Sequence, residues 1–201
     1  MKVCWISNYF SPYKSRLFEE LSKKADLTVL MLGGKDANRN NEWKQDNNVS
    51  YKAVYIDSSF NKVIDELAKE NDVLVDSLYF STYGYKAVST FKKYNKKTIL
   101  HADGGIAKNR GFVLNGLMTF LMKRHDYVLS SSKYVDDYFK YYGVEDYKLN
   151  HYRFTSLTNK DLNGNKKLIK DKQDLRKQFG IDDKFTFISV GQPIKRKGFD
   201  I

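Results

Sequence analysis

Short apolar runs alternate with longer stretches in which apolar residues recur every three or four positions, and this alternation organises most of the chain. Val3–Ile6 predicts an opening strand. Leu17, Phe18 and Leu21 share one face of a helix predicted over 15–24. Further strands are predicted at 27–32, 51–56, 72–75, 98–101, 127–130 and 149–152. Helices are predicted over 60–68, from near Ser81 to Tyr94, over 112–124 and over 133–142. Ser132 is placed to cap the last of these, and Gly143 to stop it. Gly84 weakens the helix that contains it. The polar stretch 35–50 reads as an exposed loop. Residues 155–172 are polar and basic around Asn163-Gly164-Asn165 and read as a linker. A short helix over 172–179 follows, ended by Gly180, and then the apolar run 185–190.

Strand and helix therefore alternate repeatedly, and many strands are apolar throughout. That pattern predicts an α/β fold: a Rossmann-like, mostly parallel sheet with helices on both faces. In such a sheet the strand-to-helix loops share one edge, and ligands bind beyond the carboxyl ends of the strands where their order reverses. The loops at 7–13, 78–81, 101–105 and 130–132 belong to that rim. The run at 185–190 ends in Gly191 and a basic loop, which is the opening of a further α/β unit. Such a strand needs neighbours, so it either pairs with the preceding sheet or begins a second domain.

The 201 residues include 35 Lys or Arg against 24 Asp or Glu, a formal charge of +11. This excess favours anionic partners without choosing among them. Other basic residues are scattered and build no nucleic-acid module, so no nucleic acid is expected. Cys4 is the only cysteine. It lies in an apolar run and reads as a small buried hydrophobe. The apolar start is too short for a signal peptide, and no stretch approaches the roughly 20 residues that span a bilayer. The expected location is cytoplasmic, with surface attachment to a membrane left open.

No G-x-G-x-x-G occurs in 7–13, and no G-x-x-x-x-G-K-[ST] occurs anywhere, which argues against nicotinamide, flavin and nucleoside-triphosphate hydrolysis chemistry. Tyr9, Phe10 and Tyr13 present aromatic faces to a sugar-like or apolar partner, or simply pack the loop. His101-Ala102-Asp103-Gly104-Gly105 is the sharpest motif in the body of the chain. His101 ends a strand on the rim, and Asp103 is a hydrogen-bond acceptor there. Gly104 and Gly105 permit close backbone approach to a ligand. A tight turn is the alternative reading. Asp103 would need a raised pKa to serve as a general base. Three histidines and one cysteine show no metal-ligand spacing, and no metal site is expected. His125 reads as structural. Lys195-Arg196-Lys197-Gly198, following an apolar strand, suits a phosphate, or is simply a solvated basic surface.

Residues 187–200, FISVGQPIKRKGFD, resemble the start of the second domain in the family 4 retaining glycosyltransferases. His101–Gly105 and the Ser131-Ser132 helix start fit the same family. Similarity is closest to enzymes that assemble bacterial capsule and exopolysaccharide. The resemblance implies the two-domain GT-B arrangement, of which this chain is the amino-terminal half. It implies residues 1–154 as a Rossmann-like acceptor-side domain, 155–183 as a linker with a short helix, and 184–201 as the first strand and loop of a donor-binding domain. The implied reaction transfers a sugar from a nucleotide-activated donor to a hydroxyl acceptor with retention, without cofactor. Gly191 and Lys197, with Lys195 and Arg196, would bind donor phosphate. His101, Asp103, Gly104, Gly105, Tyr9 and Tyr13 would bind the acceptor or sugar. A lipid-linked or glycan acceptor is implied, with peripheral contact at the inner membrane face. Gln192 stands where many members carry arginine. The family's paired glutamates would lie beyond residue 201, so this chain is expected to be an incomplete, inactive fragment. The alternative is a stand-alone Rossmann-like module that binds a phosphorylated glycan or an anionic lipid head group.

Overall fold

The structure, a computed structural model, describes residues 1–8, 11–32, 49–56, 59–152, 157–181 and 184–190. Tyr9, Phe10, Gly191, Lys195, Arg196 and Lys197 fall outside these. The chain divides into two compact units, Met1–Ser156 and Leu157–Ile201.

The described residues of the first unit hold seven strands: β1 (Lys2–Ser7), β2 (Asp26–Met31), β3 (Lys52–Tyr55), β4 (Val73–Asp76), β5 (Lys97–Ala102), β6 (Tyr127–Ser130) and β7 (Leu149–His151). They form one sheet in the order β3-β2-β1-β4-β5-β6-β7, and every pairing is parallel. Strand order reverses between β1 and β4, so the crevice beyond their carboxyl ends is where this architecture binds ligands. β1 is central, and Val3 to Ser7 are all buried. This accounts for its unbroken apolar run, since a parallel strand covered on both faces has no water-facing register. Burial pushes the Cys4 thiol up to about 12, which keeps it inert. The edge strands β3 and β7 are short and partly exposed, which limits stray pairing.

Five helices connect these strands: α1 (Pro12–Ser22), α2 (Phe60–Glu70), α3 (Thr82–Lys93), α4 (Phe112–Lys123) and α5 (Lys133–Tyr141). On one sheet face Val3, Trp5, Val29 and Val75 pack with Phe18 of α1. On the other, Cys4, Ile6, Leu30 and Leu74 pack with α2 and α3. Leu100 and Val128 pack there with α4 and α5. The expected α/β sheet with helices on both faces is thus present.

Two local details depart from expectation, and a third meets it. Helix α1 begins earlier than predicted, with Ser11 at its N-cap and Pro12 in the first turn. Proline is tolerated there because its missing N–H would have no helical partner. Ser132 occupies the N-cap of α5, but its side chain makes no capping bond. Its carbonyl accepts from the Val135 and Asp136 N–H groups instead. Gly143 does stop α5: it adopts φ 80°, and the Val144 N–H returns to the Phe139 carbonyl.

The second unit contains α6 (Asn159–Lys170) and α7 (Lys172–Gln178). Residues 159–170, expected as linker, are helical despite their Asn-Gly-Asn. Thr158 and Asp161 form a reciprocal cap: the Thr158 N–H and Oγ1 donate to the Asp161 carboxylate, and the Asp161 N–H returns to Thr158 Oγ1. Residues 185–190 carry no strand pairing, and Phe185, Phe187, Ile188 and Val190 are exposed.

Candidate functional site

Side chains from four strand ends and one helix start meet on the carboxyl rim. The assembly begins inside the sheet. Trp5 on β1 and His101 on β5 lie on the same face, their rings 4.8 Å apart at 65°. Ser77, just past β4, sits between them. Trp5 Nε1 donates to Ser77 Oγ at 2.8 Å, and Ser77 Oγ lies 2.9 Å from His101 Nδ1. The other imidazole nitrogen, Nε2, is 2.7 Å from the Tyr152 hydroxyl and 3.2 Å from Asp103 Oδ1.

One proton arrangement satisfies this chain. The indole can only donate, so Ser77 accepts from it and can donate its own proton to Nδ1. His101 then carries its proton on Nε2 and donates to Tyr152. The Tyr152 hydroxyl donates onward to Asp103 Oδ1 at 2.6 Å. Tyr13, in the first turn of α1, reaches across the end of β4 and donates to Asp103 Oδ2 at 2.9 Å. Ser131, past β6, donates to the Asp103 carbonyl at 3.1 Å. The turn and side chain of Asp103 are therefore fixed from β5, β6, β7 and α1.

The electrostatics follow. Burial works against the charge of Asp103, but the His101 ring beside it and hydrogen bonds from Tyr152 and Tyr13 outweigh it and hold the carboxyl well below the usual carboxylate range. Burial and the adjacent Asp103 push the Tyr152 hydroxyl up. The Asp103 side chain keeps 31% of its surface open to solvent. A carboxylate offers about four lone-pair positions, and the bonds from Tyr152 and Tyr13, with His101 Nε2 3.2 Å from Oδ1, leave room for a ligand donor. Asp103 is suited to accept a hydrogen bond from a bound hydroxyl. A depressed pKa makes it a poor base at neutral pH.

Among the predicted site residues, His101 is buried, with both ring nitrogens engaged by protein groups. It acts on the rim by orienting Tyr152 and Asp103 rather than by facing solvent. Gly104 is exposed, and a Cβ there would meet nothing. Gly105 differs, because a Cβ would stand 2.5 Å from the Tyr138 ring. Tyr138 is itself buried and bonded to Tyr79 through their hydroxyls at 3.0 Å. The glycine thus lets the loop lie flat on that aromatic wall.

Sequence reasoning missed Tyr152, Ser77, Trp5 and a second pair beside them. His151 Nε2 meets the Asp136 carboxylate at 2.5 Å, tying β7 to α5. Burial opposes charge on Asp136, and the neighbouring Ser130 hydroxyl and the His151 ring prevail and lower its pKa. Tyr152 had one available signal: it is the last residue of a predicted strand and so lies on the rim. His125 is structural, as expected. It is buried, 3.3 Å from Asp76 Oδ2 and 3.3 Å from the Met122 carbonyl. Among the described residues, no group of three or more His, Cys, Asp or Glu is placed to hold a metal ion. No described helix is long and apolar enough to cross a membrane.

No protein-family model and no curated protein matches the chain. Solved structures do resemble it. HepE from Anabaena in complex with UDP superposes with a TM-score of 0.62 at 11% identity, over 91% of this chain and 51% of HepE. Its complex with UDP and glucose gives 0.58 at 11%, over 94% and 54%. UDP-GlcNAc 2-epimerase from Methanocaldococcus jannaschii gives 0.52 at 16%, over 90% and 52%. This chain spans about half the length of each. At these identities the likeness establishes the shared Rossmann-like fold.

Proposed function

We propose that this chain is the acceptor-side half of a two-domain, GT-B type glycosyltransferase that uses a nucleotide sugar. The observation that carries the reading is the Asp103 carboxylate, fixed by Tyr13, Tyr152 and His101 beside the switch point of the sheet and still open to solvent. A preorganised anionic acceptor beside two glycines suits the hydroxyls of a sugar better than a phosphate, which it would repel. Similarity of fold to proteins solved with UDP and UDP-glucose supports a nucleotide-sugar partner. The resemblance of residues 187–200 supports the finer assignment: family 4, a retaining mechanism, and bacterial surface polysaccharide synthesis. On that reading Gly191 and Lys197, with Lys195 and Arg196, take the donor diphosphate, where cations would stabilise the leaving group. The chain by itself is expected to turn over little or no donor, because its relatives are about twice its length and half a cleft orients a donor poorly.

Ligand-observed NMR with a panel of nucleotide sugars, hexosides and glycan phosphates tests the reading. Weak binding of a nucleotide sugar or hexoside is expected, with hexoside binding lost in Asp103→Asn. Binding of glycan phosphates alone would favour a stand-alone binding module. If the folded protein binds none of them, the proposal fails.

A further inference from the structure

Helix α4 differs from the other helices that cover the sheet. From Gly111 to Met122 it contains no charged residue, yet only Met118, Leu121 and Met122 are buried. Its outward positions hold Phe112 at 95% exposure, Val113 at 79%, Leu114 at 46%, Leu117 at 44% and Phe120 at 54%. A helix face turned to water is normally charged, and a helix apolar all round is normally covered. Helix α2, on the same sheet face, meets that expectation with Lys62, Asp65, Glu66 and Lys69. Single exposed apolar residues are ordinary, but a continuous strip of them marks an interaction surface.

The charges around the strip indicate what covers it. Between Gly104 and His125 the chain has Lys108, Arg110, Lys123 and Arg124 and no acidic residue. Lys108 and Arg110 are exposed just before the helix. At its far end the Arg124 guanidinium lies 4.3 Å from the Tyr85 ring centroid and 5.6 Å from that of Phe120. Apolar side chains entering an acyl layer, with Lys and Arg at the headgroups, are the physical requirements of a helix lying in a membrane interface.

We infer that α4 and the loop before it dock this protein on the surface of an anionic lipid bilayer. A second copy of the chain is the poorer occupant, because each copy carries +11 and the same acid-free segment, and pairing would bring like charges together. The loop bearing Asp103, Gly104 and Gly105 runs directly into α4, so docking holds the candidate site near the bilayer surface. The inference does not depend on the sugar chemistry.

Co-sedimentation of the whole chain with phosphatidylcholine vesicles, with and without phosphatidylglycerol, tests it. Binding to the anionic vesicles is expected, weakening as salt is raised. The double substitution Val113→Asp with Leu117→Asp is expected to lower partitioning at least about tenfold, with the fold checked by circular dichroism. Lys108→Glu with Arg110→Glu, outside the helix, is expected to reduce binding to the anionic vesicles and serves if the first variant does not fold. Failure of the folded protein to bind anionic vesicles overturns the inference. So does binding that neither double variant weakens, or a dimer in sedimentation velocity that the helix variant abolishes while vesicles remain unbound.

Discussion

Asp103 illustrates how little a residue's identity says about its charge. In sequence it is a carboxylate in a Gly-rich turn. In the fold it receives Tyr13 from one side and Tyr152 and His101 from the other, and the three together lower its pKa against the effect of burial. The sign of the stability effect is then determined. A carboxyl whose folded pKa lies below its unfolded value near about 3.9 contributes stability above that pH, and the contribution is lost as pH falls through the folded value. Asp103→Asn is therefore expected to melt at a lower temperature than wild type at pH 7. The difference should shrink as pH falls below about 4. Thermal melts of both proteins across pH 3 to 7 check this, and parallel curves would contradict the proposed hydrogen-bond network.

At the scale of single elements, propensity and packing oppose each other at Gly84. Alanine is favoured over glycine in a helix interior by about 1 kcal/mol. Yet a Cβ at Gly84 would collide with the Leu78 backbone carbonyl and stand 2.9 Å from Asp76 Oδ2. The Gly84 N–H also donates to Ser81 Oγ, the N-cap of α3, at 3.1 Å. The glycine thus lets α3 approach the end of β4, and backbone cannot yield as a side-chain tip does. Gly84→Ala is expected to destabilise the protein by about 1–3 kcal/mol despite its better propensity. Urea unfolding measures the change, and a gain in stability would contradict the close approach. Sequence periodicity located α3 and most other elements, because strands buried on both faces and helices with one buried stripe each write their period into the chain. It failed over 159–170, where a Thr158–Asp161 cap outweighs an Asn-Gly-Asn that otherwise reads as a loop.

Over the whole molecule, the three apolar cores draw all their members from residues 3 to 149. All seven strands lie in the same span. A chain ended after Ser156 keeps every one of them and is expected to unfold in a single cooperative transition, as a domain of this size does. Calorimetry on that shorter chain decides, and a broad, non-cooperative melt would show that the first unit needs the rest. The sequence by itself determined that this is a parallel α/β protein, and that the turn after its fifth strand lies on the binding rim. Those properties are local, carried by hydrophobic period and by turn residues adjacent in the chain. Only the tertiary structure decided that Tyr13, Asp103 and Tyr152 meet, that His101 is buried behind them, and that α4 presents an apolar face outward. Strand order sets these relations, because it brings together residues far apart in the chain, and no local pattern encodes that order.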